Sequence, residues 1–251
     1  MSSIVEVKNL TKIYGGEPAV DHISFNVKKG EIFGILGPNG AGKTTTLEMI
    51  EAMRPIDDGT AKISGLDVKK EPQKIRYIIG VQPQAPAFQD KNKLKEILEL
   101  FAAAYGEKVD PYKLLKEVDL SEKADSYFEN LSGGQKQRLS IAASLVHSPQ
   151  VFFMDEPTTG LDPQARRHMW GLIKSIKERG VTVILTTHYM EEAEMLCDRV
   201  AIMDNGKIVV IDSPKNLIKQ LLKRGFKKKH IVEQADLEDV FIDLTGKHLR
   251  E

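Results

Sequence analysis

Residues 32–46 read IFGILGPNGAGKTTT, and the rest of the chain is organised around them. Ile32, Phe33, Ile35 and Leu36 form an apolar run that predicts a buried strand. The run breaks at Gly37 into a turn of Pro38, Asn39, Gly40 and Ala41, and a helical pattern resumes at Gly42 and continues to about Met53. Gly37, Gly42, Lys43 and Thr44 satisfy G-x-x-x-x-G-K-[ST], the phosphate-binding loop. The spacing has a physical reason. Glycines let the backbone curl until several N–H groups point inward, and the helix that follows adds the positive end of its dipole. Lys43 is then placed for the β- and γ-phosphates and the Thr44 hydroxyl for Mg²⁺. The stretch from Gly37 through Pro38, Asn39, Gly40, Ala41, Gly42, Lys43, Thr44 and Thr45 is the expected nucleotide-binding segment.

Composition sets the limits around it. The 251 residues suffice for one large domain or two modest ones, with 41% hydrophobic and 29% charged side chains. Lys plus Arg and Asp plus Glu balance at 36 each, so no net field draws the whole chain to nucleic acid or acidic lipid. One cysteine, Cys197, excludes an internal disulfide framework and fits a reducing compartment. No apolar run approaches the roughly 18 residues of a membrane span, and the start MSSIVEVKNL lacks the basic and apolar regions of a signal peptide. A cytoplasmic location is expected, unless a partner takes the chain elsewhere.

Working outward, residues 4–36 alternate with period two and are punctuated by Tyr14-Gly15-Gly16 and Lys29-Gly30, which predicts an antiparallel β layer leading into the loop. A short hairpin is expected over 61–68 and a further strand over 78–81. From Asn92 to His147 the pattern turns helical: Leu94, Ile97, Leu98 and Phe101 recur at helical spacing, and Asp110-Pro111 marks a helix start. This predicts a helical insertion, about 85–149 at its widest, in a chain that otherwise alternates strand and helix. Alternation returns with strands at 151–154 and 181–187, helices at 164–179 and 189–197, and a hairpin turning at Asn205-Gly206. Buried strands alternating with helices mean a mainly parallel sheet covered on both faces, an α/β fold. Residues 1–212 are expected to form the main domain. Residues 213–251 are expected as a short helical extension, with helices to about Arg224 and over 236–245.

Asp155-Glu156 closes a buried strand, and consecutive residues there point to opposite sides, so two carboxylates can take two roles. One can orient Mg²⁺ and its waters while the other polarises the water that attacks a γ-phosphate. Leu131-Ser132-Gly133-Gly134-Gln135 opens another helix, read as 135–148, which Ser132 can cap, and makes a second anion site at a helix N-terminus. One nucleotide does not need two such sites in one subunit.

These motifs together resemble the nucleotide-binding subunit of an ATP-binding cassette transporter. The resemblance rests on the loop 37–44, on LSGGQKQR at 131–138, on VFFMDEP at 151–157 and on His188, and it runs in order from residue 4 to about 212. It implies a phosphate-loop NTPase core with an N-terminal antiparallel layer and an inserted helical subdomain, hydrolysing ATP with Mg²⁺. By position in the motifs, Tyr14 corresponds to the aromatic that stacks on adenine, Glu156 to the catalytic carboxylate and His188 to the γ-phosphate switch. Thr44, Asp155 and Gln84 correspond to the Mg²⁺ set. Gln84 fits the glutamine ahead of the helical insertion better than Gln82, which is expected at the surface. Gly160-Leu161-Asp162 resembles the loop that crosses to the second subunit, bringing Asp162 near the nucleotide. The resemblance also resolves the doubled anion site. Two subunits pack head to tail, so each ATP lies between one phosphate loop and the other subunit's Ser132, Gly133, Gly134 and Gln135.

Glu51-Ala52-Met53-Arg54-Pro55 and Leu237-Glu238-Asp239-Val240-Phe241 resemble the exporter ATPases of drug, lipid and sodium efflux. The chain stops sooner than many of that group and carries 91–95 (KNKLK) where a Leu-Thr-Val-like stretch often stands. A separate multi-spanning permease is the implied partner, docked near Gln84 and residues 88–104, with the subunit peripheral on the cytoplasmic face of the membrane. The working pair is a homodimer or a heterodimer with a paralogue. A cassette ATPase acting on nucleic acid or ribosomes is the alternative, but this chain has neither a long coiled coil nor a second cassette, and no nucleic-acid partner is expected. Cys197, Met169 and Trp170 read as packing residues. Lys223, Arg224, Lys227, Lys228 and Lys229 read as a solvated basic run.

Overall fold

The computed structural model describes residues 2–85 and 87–226. The alternating N-terminal stretch folds as two long antiparallel strands, β1 (Ser3–Tyr14) and β2 (Glu17–Lys28). β4 (Asp58–Ile63) and β5 (Leu66–Asp67) extend them into a sheet ordered β2-β1-β4-β5. Between the two halves of that sheet the chain forms β3 (Ile32–Leu36), every residue of it buried, and then α1 (Lys43–Ile50).

β3 belongs to a second, six-stranded sheet with β6 (Ile79–Gln82), β7 (Val151–Asp155), β8 (Thr182–Thr187), β9 (Arg199–Asp204) and β10 (Lys207–Asp212), in the order β10-β9-β3-β8-β7-β6. All neighbours in it are parallel except β9 and β10. Asn205 and Gly206 turn that hairpin, both at positive φ, the geometry a two-residue loop requires. Phe25 and Phe33 stack with ring centroids 5.3 Å apart inside the apolar cluster between the sheets, together with Leu10, Ile35, Ile63, Phe153 and Ile184.

The crossover elements are α2 (Pro72–Arg76), α3 (Leu94–Ala104), α4 (Pro111–Glu117), α5 (Gly133–Ser144), α6 (Pro163–Glu178) and α7 (Met190–Leu196), and α8 (Pro214–Lys223) follows β10. α3 to α5 make up the expected helical insertion, with two short 3₁₀ turns and a single bridge, Lys93 with Tyr127. Asp110 caps α4 by accepting from the Tyr112 and Lys113 N–H groups, with Pro111 at the first helical position, as the sequence predicts. α5 starts two residues earlier than its apolar pattern suggests, because Ser132 and Gln135 close a reciprocal capping box around Gly133 and Gly134.

The chain divides into two units, Met1–Asn216 and Leu217–Glu251. The helix expected over 236–245, the Leu237–Phe241 resemblance and Lys227 to Lys229 lie outside the described residues.

Candidate active site

Parallel pairing decides where the motifs meet. Leu36 pairs with Thr187, Asp155 with Thr186, and Gln82 with Met154. The ends of β3, β8, β7 and β6 therefore lie on one edge, the carboxyl edge at which parallel α/β sheets bind ligands. Gly37, Asp155 and His188, far apart in sequence, all emerge there.

Two glycines of the loop have no substitute. A Cβ on Gly37 would lie 2.2 Å from the Met203 carbonyl oxygen. Gly42 holds φ at +96° with its would-be Cβ 2.4 Å from the Ala19 carbonyl oxygen, and it opens α1 without a side-chain cap. The first turn of α1 thus presents unpaired N–H groups to the loop.

Lys43 is 4% exposed and its Nζ bridges inward. It donates to the Gly37 and Pro38 carbonyls at 2.9 and 3.0 Å and stands 3.2 Å from Glu156 Oε1. The Thr44 hydroxyl donates to Asp155 Oδ1 at 3.2 Å. Glu156 is buried, sits at φ +47° and accepts a 3.1 Å bond from the Thr159 hydroxyl at Oε2. A left-handed glutamate is uncommon, and such strain concentrates at functional sites. His188 Nδ1 lies 3.2 Å from the same oxygen, within ion-pair range but without hydrogen-bond alignment. Burial pushes the Glu156 carboxyl up, but Lys43 and His188 outweigh it and hold the group below its ordinary value. It is ionised at neutral pH, the state a base or water-polarising group needs.

Thr186 is a site residue the motifs did not reveal. Its hydroxyl donates to Asp155 Oδ1 and accepts from the Glu156 backbone N–H at 3.0 Å, tying the first carboxylate to the backbone of the second residue. The signal was present as a Thr-Thr pair closing a strand whose middle, Val183 to Leu185, is apolar. Glu51 is a second. It is 5% exposed, faces the same cleft as Thr44 and Asp155, and its carboxyl is pushed up to about 8 by burial, with the charges of Asp155 and Glu48 adding to the shift.

The expectation for Gln82 is overturned. The residue is fully buried at the end of β6, and neither amide atom finds a partner among the described residues. Surface placement failed because β6, although at the edge of its sheet, has α2 and α5 packed against it. Gln84 is exposed and lines a cleft of about 620 Å³ with Thr44, Asp155, Arg76, Phe101 and Tyr105. Tyr14 ends β1 with its ring 43% exposed, flanked by Lys12 and Arg54, whose guanidinium donates to the Tyr14 hydroxyl. Among the described residues, no hydrogen bond or ion pair joins Ser132, Gly133, Gly134, Gln135 or Asp162 to the phosphate loop. Asp162 is exposed and caps α6 through the Ala165 N–H at 2.7 Å. Cys197 is buried with its thiol pushed up by burial and packs against Gly34, so packing is its role. Trp170 is buried too, its Nε1–H donating to Glu192.

The family model described as ABC transporter matches residues 20–159, more than half of the chain, including the loop, the LSGGQ segment and Asp155-Glu156. The chain belongs to the ABC transporter family. Among its relatives is the linearmycin resistance ATP-binding protein LnrL of Bacillus subtilis (strain 168), 42% identical over 223 residues, which cover 87% of this chain and 72% of that protein. The Nod factor export ATP-binding protein I of Ralstonia nicotianae is 42% identical over 86% of this chain and 68% of its own length. Among solved structures, the dimeric post-hydrolysis state of the ATP-binding cassette MJ0796 bound to ADP and Pi superposes with a TM-score of 0.76 at 27% identity, covering 83% of this chain and 98% of that one. This chain is an ABC transporter ATPase subunit, and its α/β core, antiparallel layer and helical insertion are those of the cassette fold.

Proposed function

We propose that this ABC ATPase powers an exporter by closing a head-to-tail dimer around two Mg²⁺–ATP complexes. One observation carries the reading. Lys43, Thr44, Asp155, Glu156 and His188 are joined by contacts of 3.2 Å or less, while the Ser132-Gly133-Gly134 lip has no bond to them within its own chain. A site complete but for its second wall suits a composite interface.

The residues fit the nucleotide. Lys43 points into the loop onto carbonyl oxygens that a phosphate would replace as its partners, and the free N–H groups of α1 suit an anion. Hydroxyl, carboxylate and amide oxygens of Thr44, Asp155 and Gln84 are the hard donors Mg²⁺ takes, and bound there it would supply neutralisation of the β,γ-phosphate charge. Glu156, ionised and buried, polarises the attacking water, and His188 beside it meets the γ-phosphate. Tyr14 offers an exposed ring to adenine, and Asp162, exposed where it caps α6, is the residue assigned to the second subunit's site. Once the γ-phosphate is cleaved, the halves lose the group that joins them, so nucleotide state becomes an open-and-shut cycle.

Export as the direction rests on the relatives named for Nod factor export and linearmycin resistance. No helix among the described residues is long and apolar enough to cross a membrane. We assign the pathway to a separate permease, against which this subunit lies on the cytoplasmic face. The cleft lined by Gln84, Phe101 and Tyr105 is the docking surface, because it connects the Mg²⁺ set at one end to the helical insertion at the other. Glu156→Gln should bind Mg²⁺–ATP and run as a closed dimer in gel filtration, with turnover lowered about a thousandfold. A variant that stays monomeric at saturating Mg²⁺–ATP sinks the proposal.

A further inference from the structure

Behind the catalytic pair lies a buried carboxylate that the reaction itself does not use. Glu192, four residues past His188 on α7, is 0% exposed. Its Oε1 accepts from the Thr158 hydroxyl at 2.8 Å and from Trp170 Nε1 at 3.1 Å. Its Oε2 lacks an aligned partner among the described residues, with the Thr187 hydroxyl alongside. Arg166, one turn before Trp170 on α6, has its Nε buried and equally without a partner. Its charge is felt at Glu192, where it partly offsets the upward push of burial on the carboxyl.

Arg166 is held elsewhere by two weak contacts. Its Nη2 donates to the Leu161 carbonyl at 3.4 Å, and its guanidinium lies 4.6 Å over the Tyr189 ring, which in turn packs against His188. One arginine thus touches the 160–162 loop and the neighbour of His188 at once. Thr158 and Thr159 complete the connection: the first bonds Glu192, the second bonds Glu156. A buried Nε–H and a buried carboxylate oxygen, both without an aligned partner and of opposite charge on packed helices, each cost free energy as they stand and would gain by joining.

We propose that Arg166 and Glu192 are positioning residues that pair when the 160–162 loop is drawn to the second subunit, locking Glu156 and His188 in register for hydrolysis. The inference rests on the composite-dimer reading above. Moving Leu161 releases Nη2, and the freed guanidinium turns onto Glu192. No bond to substrate is involved, so the effect falls on turnover and not on ATP affinity.

The chain has a single tryptophan, and Trp170 bonds Glu192 directly, so its emission reports the pair. In a Glu156→Gln background, Mg²⁺–ATP should shift Trp170 emission as the dimer forms, and adding Arg166→Gln should abolish the shift while the dimer still forms. With Glu156 intact, Glu192→Gln, which keeps the acceptor for Thr158 and Trp170, should lower kcat about tenfold with KM for ATP unchanged. Arg166→Gln should do the same, and the double variant should lose no more than either alone. A shift that survives Arg166→Gln, or losses in kcat that multiply, overturns the pairing. Failure of Glu156→Gln to dimerise instead removes the composite site on which it stands.

Discussion

Glu51 shows how one side chain can record the demands of the site around it. It lies beside Asp155 and Glu48 in the cleft, and with burial leading, its carboxyl is raised from an ordinary 4.5 to about 8. A raised acid holds its proton in the folded state and releases it on unfolding. Below about pH 4.5 both states are protonated and stability is unaffected. Between there and about 8 only the folded state keeps the proton, so stability falls as pH rises, and the deficit is complete above the folded value. Glu51→Gln, which makes the neutral form permanent, should therefore raise Tm more at pH 9 than at pH 5 in the nucleotide- and metal-free protein. The difference should be at least about 3 °C, since 1 kcal/mol moves Tm by about 2–4 °C in a domain of this size. Equal gains at both pH values would show that Glu51 is charged in the fold. Glu51 stands in the sequence only within the 51–55 resemblance and not as a site residue, because nothing in its spacing separates a helix-end glutamate facing water from one facing Asp155. Asp155 and Glu156 were readable because a strand of apolar residues ends on them.

At the scale of the element, the β3–loop–α1 unit was the most readable part of the chain, since its strand, turn and helix each follow from residue type. Gly42 is where backbone and packing requirements coincide: a positive φ and a carbonyl oxygen where Cβ would go. Gly42→Ala should cost about 1–3 kcal/mol, seen as a lower urea midpoint with unchanged m-value, and should remove ATP binding with it. Gly40→Ala, at φ +81° but with open space around it, should keep a larger share of stability. Equal losses at the two positions would mean that the crowding at Gly42 is relieved by local movement. Other elements were read with less precision, for physical reasons. Helix α5 was placed late because its first turn is set by the Ser132–Gln135 box and not by apolar spacing. Gln82 was misplaced because alternation over four residues cannot tell a strand with one wet face from one buried on both. The Thr158–Glu192–Trp170 contacts join three segments whose separation in sequence gives no hint of proximity.

For the whole molecule, the telling feature is a surface built for something outside the chain. Gly133 has ordinary φ, and a Cβ placed on it would meet nothing within 4 Å. Neither its own conformation nor its own chain's packing asks for glycine at the first position of α5, where glycine is a poor choice for helix stability. The fold therefore predicts that Gly133→Asp is harmless to the isolated subunit, and mildly stabilising, because a carboxylate in the first turn complements the helix dipole. A composite site predicts the opposite for function. The same carboxylate would face the γ-phosphate held by the other subunit's Lys43, crowding the approach and repelling the anion. Tm of the nucleotide-free chain should stay level or rise by about 1–2 °C. ATP-driven dimerisation of the Glu156→Gln form should be lost, and turnover of the otherwise wild-type chain should fall about a hundredfold. ATP binding to the single subunit, followed by equilibrium dialysis, should be preserved, because Lys43 and the loop are untouched. If turnover survives while Tm behaves as expected, the lip does not meet nucleotide, and the second wall of the site must come from elsewhere.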